Sequence, residues 1–515
     1  MRCPTKRRRP LAAALSAALA LALGACGEEG GSDPAQVAPA KAAVWVDAVI
    51  DPQGEQEQAV RSILGRFPRG GEVPQLIARA IEKEAREEKT PIDFERDVKP
   101  WLGDRAGLFL TSVGRGEPQV GLVLSATDEG KARAFLEKLE RGHAHRERTH
   151  KGVDYTLDED GAHAVVEGFV VVTQRESDLR AAIDAAKGSS LADSDRYRQA
   201  TDDLEGDRIA TAYLDSRALV ALSGPGEQQR QVGKCVLGRA AQQPLVASVR
   251  AEPDAVAVDS ATSGEGGLPT GLFLGTEPGL LPSLPADSWL AFGQPDLGPA
   301  VKRVVDCLSG ALGGEVARQQ FKRATRLDLD RDVLSWMGDA GLFVRGTNQA
   351  DLGGALVIET KDPAASRRAL TKVLPAVRAQ AEGARVTPST LSDVDAGFTV
   401  RSPGGRGPEL HAAQRGRRVV LAFGGPAAED GLTASRPLSG AASFKDAAAS
   451  LGEDYAAALY VSVQPILAVL ETGGVNRSRG YRRALPYLEK LNYLVVGNRR
   501  DDERLRTRYT LKLAK

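Results

Sequence analysis

DFERDVKPWLGD, at residues 93–104, recurs once as DLDRDVLSWMGD at residues 328–339. A single recurrence about half a chain away indicates a duplicated module and not a solenoid of short repeats. The chain has 515 residues, so each half is long enough to bury a core of its own. We therefore expect a tandem duplication of two similar halves.

Leucine and aromatic positions extend the repeat beyond this phrase. Four of them recur at a constant spacing: Leu191, Tyr197, Leu204 and Tyr213 as Leu438, Phe444, Leu451 and Tyr460. In each half, predicted strand pairs precede and follow a helix, and a hairpin ends the half. This order predicts an α+β fold whose halves have a mainly antiparallel sheet with packed helices. The predicted boundaries are 41–262 for the first repeat, 263–284 for a Gly/Pro-rich linker and 285–515 for the second repeat.

Some local features of the first half can also be placed by pattern. Residues 161–166 and 168–173 alternate as a hairpin does around Glu167. Ser177 is the predicted cap of a helix that continues through Ala186.

A run of histidines lies between these elements and the first copy of the phrase. His143, His145 and His150 alternate with arginines, which would repel a metal cation. We predict a solvated loop here, and a zinc site is the alternative.

The first 26 residues have the form of a targeting segment. A basic run, residues 6–9, precedes an apolar stretch, residues 11–23, that is too short to span a bilayer comfortably. The stretch ends in LGAC, residues 23–26, which resembles the bacterial lipobox, a resemblance that implies lipidation of Cys26. An ordinary secretory signal cleaved near Ala25 is the alternative. With residues 27–40 as a flexible tether, we expect an exported protein that is lipid-anchored on the outer face of the cell membrane.

The lipobox, the chain length and the phrase DVKPWLGD at residues 97–104 together resemble a family of bacterial lipoproteins defined by domain of unknown function 3352. The resemblance covers nearly all of the mature chain. Because that family has no assigned activity, it supports the architecture but transfers no functional residue.

Carboxylates in the repeated phrase invite a calcium hypothesis. In the second copy, Asp328, Asp330, Asp332 and Asp339 fall at positions 1, 3, 5 and 12 of a calcium-loop frame. Position 6 of such a loop needs glycine, and this position is Val333. The structural interpretation is that Asp93 and Asp328 cap a short helical turn, Trp101 and Trp336 anchor it, and Gly103 and Gly338 turn the chain into a strand.

Two cysteines are left once Cys3 is removed with the signal and Cys26 is lipidated. These are Cys235 and Cys307, and an exported protein with two thiols commonly pairs them. A disulfide between them and two separate buried thiols are both open.

Charge is balanced overall but not locally. Lys+Arg and Asp+Glu are both 68, which argues against nucleic acid as a partner. Residues 476–515 have a local balance of +8. In the last strand, Arg504, Arg506 and Arg508 share one face. One interpretation is the solvated face of an edge strand; the other is a contact with anionic lipid or an anionic wall polymer.

Catalytic motifs are missing from the sequence. It has no Gly-x-Ser-x-Gly, P-loop, Ser-x-x-Lys set or His-Glu-x-x-His, and five histidines in all. We therefore predict no enzyme activity and no cofactor, but a binding or scaffold protein of the cell envelope. One alternative is a carrier of an apolar or lipid ligand between the two halves, and another is an envelope hydrolase without a recognisable motif.

Overall fold

The computed structural model describes residues 33–87, 92–112, 119–141, 144–159, 161–202, 204, 206–217, 243–263, 275–312, 314–405, 407–433, 435–501 and 504–515. The described residues form two compact units, unit 1 up to Thr262 and unit 2 from Ser263 onward. Within these residues, every helix is too short or too polar to cross a bilayer.

Unit 1 is built on one antiparallel sheet. Its strands are β1 (Val44–Val49), β2 (Leu102–Ser112), β3 (Gln119–Ala126), β4 (Arg146–His150), β5 (Val153–Leu157), β6 (Ala162–Val166), β7 (Phe169–Thr173), β8 (Ala210–Asp215), β9 (Pro244–Glu252) and β10 (Ala255–Ser263). Their spatial order is β4, β5, β6, β7, β3, β2, β1, β8, β9, β10.

Helices of unit 1 connect these strands. They are α1 (Gly54–Arg66), α2 (Val73–Glu87), α3 (Glu129–Glu140), α4 (Glu176–Ala186) and α5 (Asp195–Thr201), with a 3-10 turn at Pro34–Val37 and a π turn at Phe94–Val98. Asp128 begins α3, because its side chain accepts a hydrogen bond from the Lys131 N–H.

Unit 2 repeats this plan. Its strands are β11 (Ser288–Gln294), β12 (Met337–Arg345), β13 (Gly353–Thr360), β14 (Arg385–Pro388), β15 (Ala396–Arg401), β16 (Leu410–Arg415), β17 (Arg418–Phe423), β18 (Ala456–Ser462), β19 (Leu491–Asp501) and β20 (Arg504–Leu513). Their spatial order is β14, β15, β16, β17, β13, β12, β11, β18, β19, β20. Among the described residues, each unit thus has ten strands in the same antiparallel order.

The helices of unit 2 are α6 (Leu297–Leu312), α7 (Gly314–Thr325), α8 (Pro363–Gln380), α9 (Gly425–Thr433), α10 (Ala442–Ala449), α11 (Val463–Thr472) and α12 (Arg479–Leu488), with a π turn at Leu329–Val333. Asp362 caps α8 as Asp128 caps α3, by accepting from the N–H groups of Ala364 and Ala365.

Each sheet has an inner face that carries the larger core. In unit 1, Trp45, Phe109 and Tyr213 pack there with α4 and α5. In unit 2, Phe343 and Tyr460 pack with α9 and α10. The repeated aromatic positions meet edge to face in both units, Tyr197 on Tyr213 with ring centroids 5.3 Å apart and Phe444 on Tyr460 at 5.6 Å. Such a pair stabilises the fold by about 0.5–1.5 kcal/mol more than the burial of its apolar area alone. The repeated residues thus form the same aromatic pair, here called the aromatic lock, in each core.

Helices also cover part of the opposite, outer face of each sheet. In unit 1, α2, α3 and the π turn place Phe94, Trp101 and Leu136 over Val170 of the sheet. In unit 2, α8 packs there in the same way with Leu370. Helices on both faces of an antiparallel sheet confirm the α+β prediction.

Several local predictions are confirmed, and others are wrong. The hairpin around Glu167 forms, with Val166 paired to Phe169. Ser177 is not a cap, because α4 begins at Glu176 and its N-cap residue is Arg175. Glu176 and Asp178 instead place negative charge in the first turn, where the helix dipole favours it.

The segment predicted as a flexible tether and part of the predicted linker, which was expected to pack in part, lie in the cores. Residues 33–40, assigned to a tether, contain Ala35 and Val37, which are buried because the Asp33 side chain caps a 3-10 turn against the sheet. Of the predicted linker, residues 275–284 place Leu281 and Leu284 in the unit 2 core; residues 264–274 lie outside the described part.

The predicted histidine loop is a β-hairpin. Strands β4 and β5 pair through His150 and Val153 around Lys151-Gly152, whose φ angles are 47° and 78°. Positive φ at both turn positions is the type I′ geometry that suits a two-residue hairpin. His150 contacts Asp184 at 2.8 Å, and His143 lies outside the described residues.

Candidate functional site

The repeated phrases form matching corners between a helical turn and a strand. Asp93 accepts from the Arg96 N–H at 3.0 Å, and Asp328 accepts from the Arg331 N–H at 3.1 Å. In return, Asp97 accepts from the Asp93 N–H. These reciprocal bonds confirm the predicted caps, and each satisfies backbone donors that a short turn leaves unpaired.

The two corner tryptophans are anchored as predicted. Trp101 and Trp336 are buried, and their Nε1–H groups donate to the Asp97 and Asp332 carbonyl oxygens at 2.9 and 3.1 Å. The role of Gly103 differs from the expectation, because its φ is not positive. A Cβ there would overlap the Ser125 side chain, so Gly103 allows close approach of β2 and β3.

The carboxylates of the calcium hypothesis are held by groups of the chain itself. Asp330 pairs with Arg318 at 3.2 Å, and Asp332 with Arg331 at 3.1 Å. Asp339 accepts from the Asp296 N–H at 3.0 Å. The Arg331 hydrogen bond lowers the pKa of Asp332 to about 2. Across the described ranges, His, Cys, Asp and Glu side chains form no cluster of three that could hold a metal ion.

The arginines of the last strand lie on the side of the sheet that was not expected. Register places Arg508 opposite Gly497 and Thr510 opposite Val495, which is in the unit 2 core. Strand alternation was therefore predicted correctly, but the arginines share the inner face, and the solvated-face interpretation is wrong.

Their contacts fit this position. Arg506 pairs with Asp501 at 2.7 Å. Arg508 donates to the Leu451 carbonyl oxygen at 2.9 Å and lies 4.6 Å from the Tyr455 ring centroid. Arg504, at the start of the strand, is half-buried. The anionic contact through Arg504, Arg506 and Arg508 stays a prediction.

A row of buried polar residues crosses the inner face of unit 1. We call it the polar band; its members are paired across β1, β8, β9 and β10 and are Asp47, Thr211, Ser248 and Asp259. Arg105 donates to Asp47 at 2.8 Å, and Arg250 pairs with Asp259 at 3.0 Å. Burial raises the pKa of the Asp47 carboxyl, against the opposing effect of Arg105. Because each carboxylate meets a guanidinium, the band ties strands together and offers no free charge to a ligand.

Over its described positions, the corresponding row in unit 2 has no buried carboxylate; it begins at Gly293 and passes through Gly497 to Arg508. Gly293 pairs with Gly341 where Asp47 pairs with Gly107 in unit 1. A Cβ at Gly293 would overlap the Pro278 carbonyl oxygen and Leu281. In unit 2, Pro278 and Leu281 of the predicted linker thus fill the space that the Asp47 side chain takes in unit 1.

The outer face of the unit 2 sheet carries two adjacent rows of apolar side chains. One row, on paired positions of successive strands, is Tyr509, Val496, Leu459, Phe292, Leu342, Leu356, Leu421, Ala412 and Phe398. The next is Leu511, Leu494, Val461, Leu290, Val344, Gly354, Phe423, Leu410 and Val400. We call these two rows the outer apolar face. Its only polar side-chain group is the Tyr509 hydroxyl.

Part of this face is open to solvent. Leu410 is 52% exposed, Leu421 47% and Leu342 38%. Leu356, between Leu342 and Leu421, is half-buried and reaches the cluster under α8. An exposed, contiguous apolar surface of this kind is typical of an interaction site.

The equivalent row of unit 1 is less exposed at three strands and polar at the next one. Leu108, Leu122 and Val172 stand where Leu342, Leu356 and Leu421 stand, and each of the three is buried or half-buried. The row then continues to His163, whose Nε2 lies 2.8 Å from the Glu140 carboxylate on α3. This hydrogen bond lowers the pKa of Glu140. Unit 1 therefore closes its row with a polar pair where unit 2 has Ala412.

Other predicted residues are placed only in part. Cys307 lies on α6 and is disulfide-bonded, while Cys235 lies outside the described residues. Cys26 lies outside them as well. The Cys235–Cys307 bridge and the lipidation of Cys26 stay predictions.

Sequence reasoning missed the outer apolar face. Its members are spread over nine strands, and only the strand register brings them together. The signal that could have found them is the continuous apolar run in β12, β13 and β17, since a strand with one core-facing side would alternate apolar and polar residues.

Comparison with known proteins gives a family and weak structural likenesses. The family model described as "Protein of unknown function (DUF3352)" matches residues 12–511. No curated protein matches the chain. Crystal forms IV and III of TP0453 each give a TM-score of 0.24 at 10% identity, covering 45% of this chain and 80% of TP0453. Crystal form I gives 0.23 at 8% identity, covering 46% and 80%.

Proposed function

Because this chain belongs to the DUF3352 family, whose function is unassigned, we propose a function from its own geometry. It is an exported, lipid-anchored envelope protein that binds an apolar ligand on the outer apolar face of unit 2 and performs no catalysis. The observation that carries the proposal is the exposed row through Leu342, Leu356 and Leu421.

The chemistry of the face favours the acyl chain of a lipid as the occupant. A protein partner needs about one hydrogen bond per 100–200 Å² of interface, and these two rows supply a single hydroxyl. An acyl chain needs apolar area alone. The row from Phe292 to Ala412 crosses five strands; with strands about 4.8 Å apart, it is about 19 Å long. That length suits an extended long-chain acyl group.

The N-terminal sequence supports an envelope location. The lipobox-like residues 23–26 place a diacylglyceryl group on Cys26, and this group anchors the chain on the outer face of the cell membrane. Metabolic labelling with a clickable fatty acid should label the unaltered chain but not Cys26→Ser, and labelling of the variant, or no label on the unaltered chain, would contradict lipidation of Cys26.

The common strand order and the repeated corners support an origin by tandem duplication. Duplication followed by divergence accounts for a polar band in one copy and glycines in the other. On this proposal, unit 1 is the more stabilised copy and unit 2 is the ligand-binding copy.

Titration with a fluorescent long-chain fatty acid tests the function. The test uses the mature chain, residues 27–515, which keeps every described residue. Leu342→Gln with Leu421→Gln should weaken binding roughly tenfold or more, because burial of each leucine stabilises the complex by about 1.5–3 kcal/mol.

Leu76→Gln with Val316→Gln is the matched control, since Leu76 and Val316 are exposed apolar residues that do not belong to the two rows. The control should bind as the unaltered chain does. Equal loss in both double variants, or no binding by the unaltered chain, would overturn the proposed ligand.

A further inference from the structure

One face of α12 presents arginines to solvent. Arg479, Arg482, Arg483, Pro486 and Tyr487 follow the spacing i, i+3, i+4, i+7, i+8, so they share one face of the helix, and all five are exposed. The opposite face holds Tyr481, Leu485 and Leu488, which are buried or half-buried.

The helix is held in place by that opposite face. The Tyr481 side chain is buried, and its hydroxyl donates to the Glu471 carboxylate of α11 at 3.2 Å. The turn Val475–Arg477 before α12 adds another exposed arginine, Arg477, and an exposed valine, Val475. The arginine face is therefore displayed from a fixed position.

These four arginines differ from those of the last strand. Within the described part of the chain, Arg477, Arg479, Arg482 and Arg483 have no carboxylate within ion-pair distance, whereas Arg506 of the last strand pairs with Asp501. Four cations thus lie within seven residues, and in the described chain none of them forms an ion pair.

Their placement also opposes the stability of α12. The positive end of a helix dipole lies at its N-terminus, where a cation is unfavourable by about 0.3–1 kcal/mol. Arg479 is the first residue, the first turn has no acidic residue, and Ser478 makes no side-chain capping bond. A helix start that breaks these local rules together is typical of a functional surface.

We propose that the arginine face of α12 binds the surface of an anionic lipid bilayer. Each arginine near such a surface contributes about 1 kcal/mol, and Tyr487 and Val475 supply the amphipathic and apolar groups that enter the headgroup region. An anionic wall polymer would pair with the arginines but offers no apolar region for Tyr487 and Val475, so the bilayer is favoured. The surface goes beyond the proposed ligand site, and its test does not depend on fatty-acid binding.

Vesicle sedimentation of residues 27–515, without the lipid anchor, tests the proposal. The chain should bind vesicles of phosphatidylcholine with 30% phosphatidylglycerol (our choice of composition), and the binding should fall as salt rises. Reversing Arg477, Arg479, Arg482 and Arg483 to Glu should lower the partition coefficient on the order of a hundredfold or more. Tyr487→Ser should lower it less.

The matched control reverses four exposed cations of α8, Arg367, Arg368, Lys372 and Arg378, which are spread along a longer helix without an exposed aromatic residue. This variant has the same net charge and should keep most of the binding. An equal loss would show that total charge alone decides binding, which overturns the proposal. Binding to soluble wall polymer but not to anionic vesicles would overturn it in favour of the polymer.

Retained fatty-acid binding in the α12 variant separates the two proposals. If that variant loses the vesicles but binds the fatty acid, the two surfaces are independent. If the Leu342→Gln, Leu421→Gln variant loses fatty-acid binding but still binds vesicles, the bilayer surface does not depend on the ligand site.

Discussion

Units 1 and 2 share one strand order but use the same sheet positions differently. On the inner face, Asp47 and Arg105 of unit 1 form an ion pair where unit 2 has Gly293 at the first position. On the outer face, His163 of unit 1 contacts Glu140, and the row in unit 2 continues through Ala412. The conserved parts of the plan are the corners, the caps and the aromatic lock; the differences are a few side chains on the sheet. Backbone pairing and the core aromatic residues give the two units the same topology. The differences between the units lie in single rows of side chains on the sheet.

The largest expected effect comes from breaking the polar band. Asp47→Ala leaves the half-buried Arg105 without its partner; loss of one member of a fully buried pair costs about 3–5 kcal/mol, and the exposed part of Arg105 places this loss at or below the lower end of that range. Hydrogen exchange of β1 peptides should accelerate strongly, while that of β11 peptides in unit 2 should stay unchanged.

Asp47→Ala combined with Arg105→Met is the control for this prediction. Removal of both charges should restore much of the protection in β1. A single variant as protected as the unaltered chain would mean that the pair does not stabilise unit 1.

A smaller effect is expected at the corners, and it should be equal in the two units. Asp93→Ala and Asp328→Ala each remove one cap, which costs about 1 kcal/mol. Urea unfolding should show similar losses for the two variants, with Asp93→Asn and Asp328→Asn as milder controls. A loss in only one unit would break the equivalence of the corners.

The smallest effect is a pH dependence at the second corner. The pKa of Asp332 is about 2, below the ordinary value of 3.8, so its ionised form is favoured in the folded chain. The resulting stability is present above pH 3.8 and is lost as the pH falls toward 2. Asp332→Asn should flatten the stability profile in this window; an unchanged profile would assign the acid sensitivity to other groups.

Features set by neighbours in sequence could be predicted from the sequence. Asp93 and Asp328 cap because the acceptor and the N–H group are three residues apart. At Lys151-Gly152 part of the signal was present but missed, since Gly152 suits the second position of a type I′ turn, whereas Lys151 is not a residue that this turn favours.

Features set by tertiary packing could not be predicted in this way. The alternation of side chains in β20 predicts which residues share a face. It does not predict which of the two faces is covered by helices. Gly497 and the Leu451 carbonyl oxygen, both distant in sequence, are what admit Arg508 to the inner face. The outer apolar face depends likewise on how far α8 extends across the sheet.

Photo-crosslinking tests the central claim, that the outer apolar face of unit 2 and not that of unit 1 holds the ligand. Residues 27–515 would be labelled with a diazirine-bearing long-chain fatty acid and mapped by peptide mass spectrometry. We predict labels in β12, β13, β16 and β17, which competing fatty acid removes. Labels confined to β2, β3, β6 and β7, or distributed equally over the two units, would contradict the account.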